Sequence, residues 1–253
     1  AFVLVLSAGL LLATLRNLTA VDPGFDAERV AVSAAALPGS RYPDRDARLA
    51  FVRRMLDAIV AVPGVRSAAV ASHLPFSGES SRNAVAAGQI AHAPADGVAL
   101  PYQTVVTPGY FETLGIALTE GRTFLESDDT SSRRVAVIDE TLARRHWGRD
   151  SPVGRRLWLG GTGGADDEAL TIVGVVEPIR HESLRNESAA GAVYLPLAQA
   201  SLGFFRIAAK LDADRSTVWP GVRGAIGALD PGLVLFWNDT LDASVDDTLL
   251  LQR

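Results

Sequence analysis

Histidine, aspartate and glutamate carry the proton-transfer and metal-binding chemistry available to this chain, and their spacing assembles neither. His73, His92, His146 and His181 are scattered, and none stands in an HxxxH or HExxH pattern. Each therefore reads as a surface or satisfied-core histidine. His146, beside Trp147 at the end of a short helix, would also complement a helix C-terminus as a cation. Asp128–Asp129 and Asp166–Asp167–Glu168 lack the alternating ligand spacing of a calcium loop, so they read as solvated loop charge. The glycines of 160–164 match no phosphate-binding fingerprint, and Lys210, the sole lysine, has no glycine-rich loop before it. A GxSxG nucleophile elbow is absent as well. No catalytic residue, metal site or cofactor is expected.

Composition narrows the classes further. The chain has 253 residues, 24 Lys and Arg against 29 Asp and Glu, and a formal charge of −5, which argues against a nucleic-acid surface. It contains no cysteine, so disulfide frameworks, thiolate metal sites and thiol nucleophiles are excluded.

Residues 1–15, AFVLVLSAGLLLATL, hold no charge and no proline. Phe2, Val3, Leu4, Val5, Leu6, Leu10, Leu11, Leu12 and Leu15 together favour membrane insertion by about 3–5 kcal/mol. Fifteen residues rise only about 22 Å, short of a roughly 30 Å hydrocarbon core. With no initiator Met, the segment reads as the end of a transmembrane helix, over 1–18, that starts upstream. A signal peptide would need a basic stretch before it and a small-residue cleavage site after it, and neither is visible. A buried core helix would keep one polar face. The lipid bilayer is thus the first expected partner, and the final TLLLQR, within 241–253, reads as the start of a helix leading back to it.

Between these ends two β-α-β units are legible. RVAVSAAAL (29–37) reads as a strand. Asp44 caps a helix carrying Leu49, Val52, Leu56 and Ile59 at helical spacing, Pro63–Gly64 stops it, and 65–72 is the next strand. FFRIAAKL (204–211), a helix after Ser216 with Val218, Val222, Ile226 and Leu229, and LVLFWND (233–239) repeat the plan. AIVAVPGV (58–65) and AIGALDPGL (225–233) share a helix end, a Pro-Gly stop and a strand start, with one residue inserted in the second. Such a pair predicts an α+β fold, a split ferredoxin-like βαβ/βαβ sheet with both helices on one face. Its halves are expected at 27–75 and 196–240. Gly221, Gly224 and Gly227 would leave one helix face bare for close packing on the sheet. The stretch 76–195 reads as an inserted β-rich subdomain with strands at 100–106, 134–139, 155–160 and 170–176, a short helix ETLARRHW and a hairpin loop at 160–167. Tyr110, Phe111, Trp147, Trp158, Trp219 and Trp237 read as core or interdomain contacts.

The strings VVTPGYFETLGIALTEGRTFLESD (105–128), VAVIDETLARRHW (135–147), SPVGRRLWLGG (151–161), LTIVGVVEPIRHESL (170–184) and AVYLPLAQ (192–199) resemble the periplasmic core domain of MacB-like ABC transporter permeases, in particular the large duplicated ones. The passage 6–26 is similar to how their membrane helix enters this domain. Glu177–Pro178–Ile179 departs from the Gly-Asp-Val-like turn expected there. The resemblance implies a porter-like subdomain with a β-rich insertion, on the periplasmic side of a bacterial inner membrane. It also implies a cytosolic ABC ATPase subunit or domain, the remaining permease helices in a dimeric or pseudo-dimeric assembly, and a domain that relays motion during transport or efflux without chemistry of its own. A membrane-tethered sensor or ligand-binding module is the alternative. A tethered hydrolase would need a convergent polar pocket that the sequence does not reveal.

Overall fold

The computed structural model describes residues 22–78, 80–87, 100–160, 168–183 and 190–251. The apolar segment from Phe2 to Leu15, His92, Asp166–Asp167 and most of the 160–167 loop lie outside the described residues.

The first β-α-β unit is built from strand β1 (Val30–Ala36), helix α1 (Arg45–Val60) and strand β2 (Val65–Ala71). Asp44 caps α1 by accepting from the Ala47 N–H at 2.8 Å, satisfying one of the helix's orphan donors. Phe51, Val52, Met55 and Ile59 form its buried stripe, with Leu49 and Leu56 packed at the margin. The insertion follows: β3 (Val85–Ala87), β4 (Tyr102–Val106), α2 (Tyr110–Thr113), β5 (Leu118–Gly121), β6 (Val135–Asp139), α3 (Glu140–Trp147), β7 (Arg156–Leu159), β8 (Leu170–Val176) and β9 (Ala192–Pro196). The second unit is β10 (Phe204–Leu211), α4 (Arg215–Leu229) and β11 (Leu235–Thr240), and α5 (Leu241–Leu251) continues from it.

The eleven strands of the described residues join one sheet, in the order β11-β1-β10-β2-β4-β9-β6-β8-β7-β3, with β5 pairing β8 off this path. The first four form the split ferredoxin-like arrangement: all their pairings are antiparallel, with Val32 opposite Ala208 and Ile207 opposite Val70. Both α1 and α4 cover one face of it. Phe51, Met55, Val218, Trp219 and Val222 pack there against Ala31, Phe205 and Ile207. At the seam, β2 meets β4 through the pair Ala71–Val106, and side chains reinforce it. Ser72 Oγ accepts from Val105 N–H (3.0 Å), and Thr107 Oγ1 accepts from Val70 N–H (2.9 Å). A second core crosses the seam, with Val32, Ala69 and Ala208 on one side and Tyr102, Val137 and Tyr194 on the other, closed by Tyr110, Phe111 and Leu241.

Several expectations need correction. Helix α4 begins at Arg215, ahead of Ser216. Of its three glycines only Gly221 marks a close approach: a Cβ there would sit 2.9 Å from Val62 Cγ1, in the turn after α1 and not in the sheet, while Gly224 and Gly227 face open space. Short strands β3 and β5 lie in stretches where no strand was expected. Gly121 (φ +73°) and Gly174 permit the β5–β8 crossing, because a Cβ on either would meet backbone oxygen at 2.3 or 2.2 Å.

Candidate functional site

A groove of about 660 Å³ lies on the sheet face opposite α1 and α4. Its floor comes from Val32, Arg206 and Trp237, one wall from the loop after β2 (Leu74 to Gly78), and the other from α5. Local backbone explains how Trp237 reaches it. β11 pairs with β1 through a register shift between Val32 and Ala34, and Trp237 sits at the resulting bulge with φ of 46°. Such bulges re-aim a side chain. Ser33 holds the bulge from the other side, its hydroxyl within 2.9 Å of Phe236 O and of Asn238 Oδ1. Trp237 was expected as a core or interdomain contact, yet it is 59% exposed. Its indole lies over the Arg206 guanidinium, 4.2 Å from Cζ to ring centroid, and meets the Phe204 ring edge-on at 6.0 Å. Arg206 itself is 7% exposed.

Beside the groove a polar cluster braces the wall. Arg82 donates to Glu182 Oε2 and to Tyr102 Oη, both at 2.5 Å, and its guanidinium lies 4.3 Å from the Tyr102 ring centroid. Ser80 donates to the other Glu182 oxygen. His181 stacks on Tyr102 at 4.1 Å, and its carbonyl accepts from Phe76 N–H at 2.8 Å. Burial lowers the His181 pKa to about 4, and Nε2 is enclosed with no hydrogen-bond partner among the described residues. The expectation of a surface or satisfied histidine therefore fails here: this is a neutral stacking imidazole. Burial works against Glu182 ionisation, but the bonds from Ser80, Tyr102 and Arg82 outweigh it and hold its carboxyl below the usual range.

Asp128 is a second correction. It is buried, not solvated: both its oxygens bond Arg122 (2.7 and 2.8 Å), and Oδ2 also accepts from Leu125 N–H at 2.8 Å. Asp129, its neighbour, makes a turn with Ser131. Asp139 was not singled out in the sequence. It caps α3 from a position 2% exposed, accepting from Leu142 N–H at 2.8 Å, and burial raises its pKa to about 6. Its place as the last residue of β6 before a helix was the readable signal.

The remaining sequence candidates stay apart. His73 Nδ1 contacts Ser72 Oγ at 3.0 Å, His146 lies against Trp147, and Glu168 is exposed. Lys210 pins the N-terminal turn, bonding Asp26 Oδ2 (2.5 Å) and Glu28 O (2.6 Å). Trp158 and Trp219 are buried, as are Tyr110 and Phe111. Among the described residues no group of three or more His, Asp or Glu could hold a metal ion, and no helix is long and apolar enough to cross a membrane.

The described molecule thus offers a groove and a braced sheet, and comparison with known proteins supplies their context. The model of the MacB-like periplasmic core domain matches residues 3–219. An uncharacterized ABC transporter permease of Bacillus subtilis (strain 168), YknZ, is 26% identical over 74 residues, 29% of this chain and 17% of that protein's length. In fold, the chain is similar to the periplasmic region of MacB from Actinobacillus actinomycetemcomitans, with a TM-score of 0.54 at 15% identity over 90% of this chain and 94% of that one. It is also similar to the extracellular domain of the ABC-type transporter YknZ from Gram-positive bacteria, with a TM-score of 0.50 at 13% identity over 82% and 100%. The match across most of the sequence, over a split βαβ sheet carrying a β-rich insertion, establishes that the chain belongs to the MacB-like periplasmic core domain family.

Proposed function

We propose that this chain is the extracytoplasmic core domain of an ABC transporter permease in a bacterial inner membrane, relaying motion between ATP-driven membrane helices and the periplasmic side during transport or efflux. In this reading residues 1–18 end one membrane helix, 27–75 and 196–240 are the porter-like halves, 76–195 the inserted subdomain, and 241–253 the start of the next membrane connection. A cytosolic ABC ATPase supplies the energy, and further permease helices complete a dimeric or pseudo-dimeric assembly.

The observation that carries the relay is the junction of β11 with α5. Thr240 ends the strand and Leu241 begins the helix with no loop between them, and Leu241 is 1% exposed in the core that crosses the sheet seam. A displacement of α5 therefore acts on the sheet through a packed contact rather than a tether. Interior packing transmits such strain because it has little free volume to absorb it. The test is insertion of Gly-Gly-Ser after Leu251 in the full-length permease, reconstituted with its ATPase. Transport is expected to be lost while ATP hydrolysis persists. Undiminished transport would refute the relay.

A further inference from the structure

We infer that the groove between α5 and the loop after β2 is a binding site for an amphipathic organic cation. This goes beyond the relay and stands without it. The volume of about 660 Å³ falls in the range of small-molecule sites. Its lining is divided by character. Leu74, Phe76 and Leu241 supply apolar lining, Trp237 presents an exposed indole, and Asp239 and Asp247 are exposed acidic residues of the same lining.

Two observations point to a cation, and a third marks the groove as a positioned site. Arg206, the one basic group of the lining among the described residues, is almost wholly covered, whereas Asp239 and Asp247 face solvent, so an entering ligand meets carboxylate rather than guanidinium. Glu182, also in the lining, is held by Arg82 and Ser80. The surrounding chain deepens the negative field: from Asp239 through Gln252 there are four Asp and no Lys, Arg or His. Finally, three described non-glycine residues have positive φ, and two of them, Phe76 (58°) and Trp237 (46°), line this groove. A bulky residue in that region of backbone space is strained, and such strain concentrates where a side chain is positioned for function. With Arg206 beneath one face of the indole, the exposed remainder of the ring offers a cation–π surface beside the two carboxylates.

The experiment is equilibrium dialysis of the full-length protein in lipid nanodiscs, without nucleotide or ATPase, against benzyltrimethylammonium, benzenesulfonate and benzyl alcohol, with empty nanodiscs subtracted. Saturable binding of benzyltrimethylammonium alone, weakened by salt, is expected. Trp237→Leu should weaken it about tenfold and Trp237→Phe much less. The pair Asp239→Asn with Asp247→Asn, which keeps the oxygen that accepts from Thr240 N–H, should weaken it about fivefold. No saturable binding, equal binding of the anion or the neutral probe, or affinity unchanged in Trp237→Leu or in the aspartate pair would overturn the proposal. Since the readout involves no ATPase, failure here leaves the relay reading intact, and failure of the Gly-Gly-Ser test leaves the groove intact.

Discussion

Strands β2 and β11 hold the same place in the two β-α-β units, each following a helix that ends at Pro-Gly, yet they meet opposite fates. β2 lies between β10 and β4, and its last three residues are buried. β11 pairs only with β1 among the described strands, and Val234, Phe236 and Trp237 on or beside it are 58%, 41% and 59% exposed. The insertion that leaves β2 returns through β4 and covers its edge. The end of β11 turns at once into α5, which covers one face and leaves the edge open. Topology, not local sequence, decides which copy is structural and which is available. A bulge and an aspartate on an open edge also discourage pairing with other sheets, and here the same bulge aims Trp237 at the groove.

The single residue that distinguishes the two helix ends has a structural purpose as well. It is Asp230, absent from the first unit. Its side chain accepts from Tyr42 Oη at 2.8 Å and from Gly232 N–H at 2.9 Å and pairs with Arg41, which also reaches Gly232 O at 3.1 Å. The second helix end is thereby latched to the loop after β1 in the first unit. Burial opposes ionisation of Asp230, but its bonds to Tyr42 and Gly232 and the Arg41 charge prevail and lower its pKa.

The largest break in this comparison should come from charge placed on each strand. Val70→Asp puts an unpaired carboxylate at a fully buried position in β2 and should cost about 4 kcal/mol or more, whereas Phe236→Asp on β11 should stay within about 1 kcal/mol. Urea unfolding of the two variants measures the contrast, and equal costs would refute it.

Acid should separate the two sides next, because the buried titrating groups lie near β4, β6 and β9 and not on β11. Asp139 binds its proton more tightly folded than unfolded, so its contribution is full at low pH and falls by about 3 kcal/mol as pH rises from about 4 to about 6. His181 runs the other way: its folded pKa is depressed, so its contribution is present above about 6.5 and is lost as pH falls toward 4. Stability profiles of Asp139→Asn and His181→Phe should therefore depart from the parent with opposite slopes in that window. Parallel profiles would show that neither group titrates as its burial requires.

A smaller effect is expected at the latch. Asp230→Ala strands the Tyr42 hydroxyl and should cost about 1–3 kcal/mol, with faster hydrogen exchange in α4 and β11 than in α1 and β2. Uniform exchange would mean that the latch does not serve the second unit in particular.

The paired units could be read in the sequence because every local signal agreed: the Asp44 cap, the helical spacing through Ile59 and the Pro-Gly stops. What escaped lacked a local signal. β5 is four exposed residues, LTEG, with no periodicity to betray it. Asp128 looked like loop charge because its partner, Arg122, becomes one only when the turn folds back. Trp237 followed a strand-like apolar run, and nothing nearby announces a bulge. The groove gathers Val32, Phe76, Glu182, Arg206 and Asp247 from across the chain, so no window of sequence contains it.

The central claim is that the ferredoxin-like sheet and its insertion move as one body when the membrane helices move. This chain has no cysteine, so in a full-length permease whose other cysteines, where present, are replaced by Ser, Arg54→Cys on α1 and Arg149→Cys after α3 place spin labels on the two parts. In the full-length permease with its ATPase, adding ATP and vanadate should leave the Arg54–Arg149 distance unchanged while the distance from Arg149 to labelled lipid headgroups shifts. A change in the internal distance, or a domain that keeps its position over the membrane, would contradict the account.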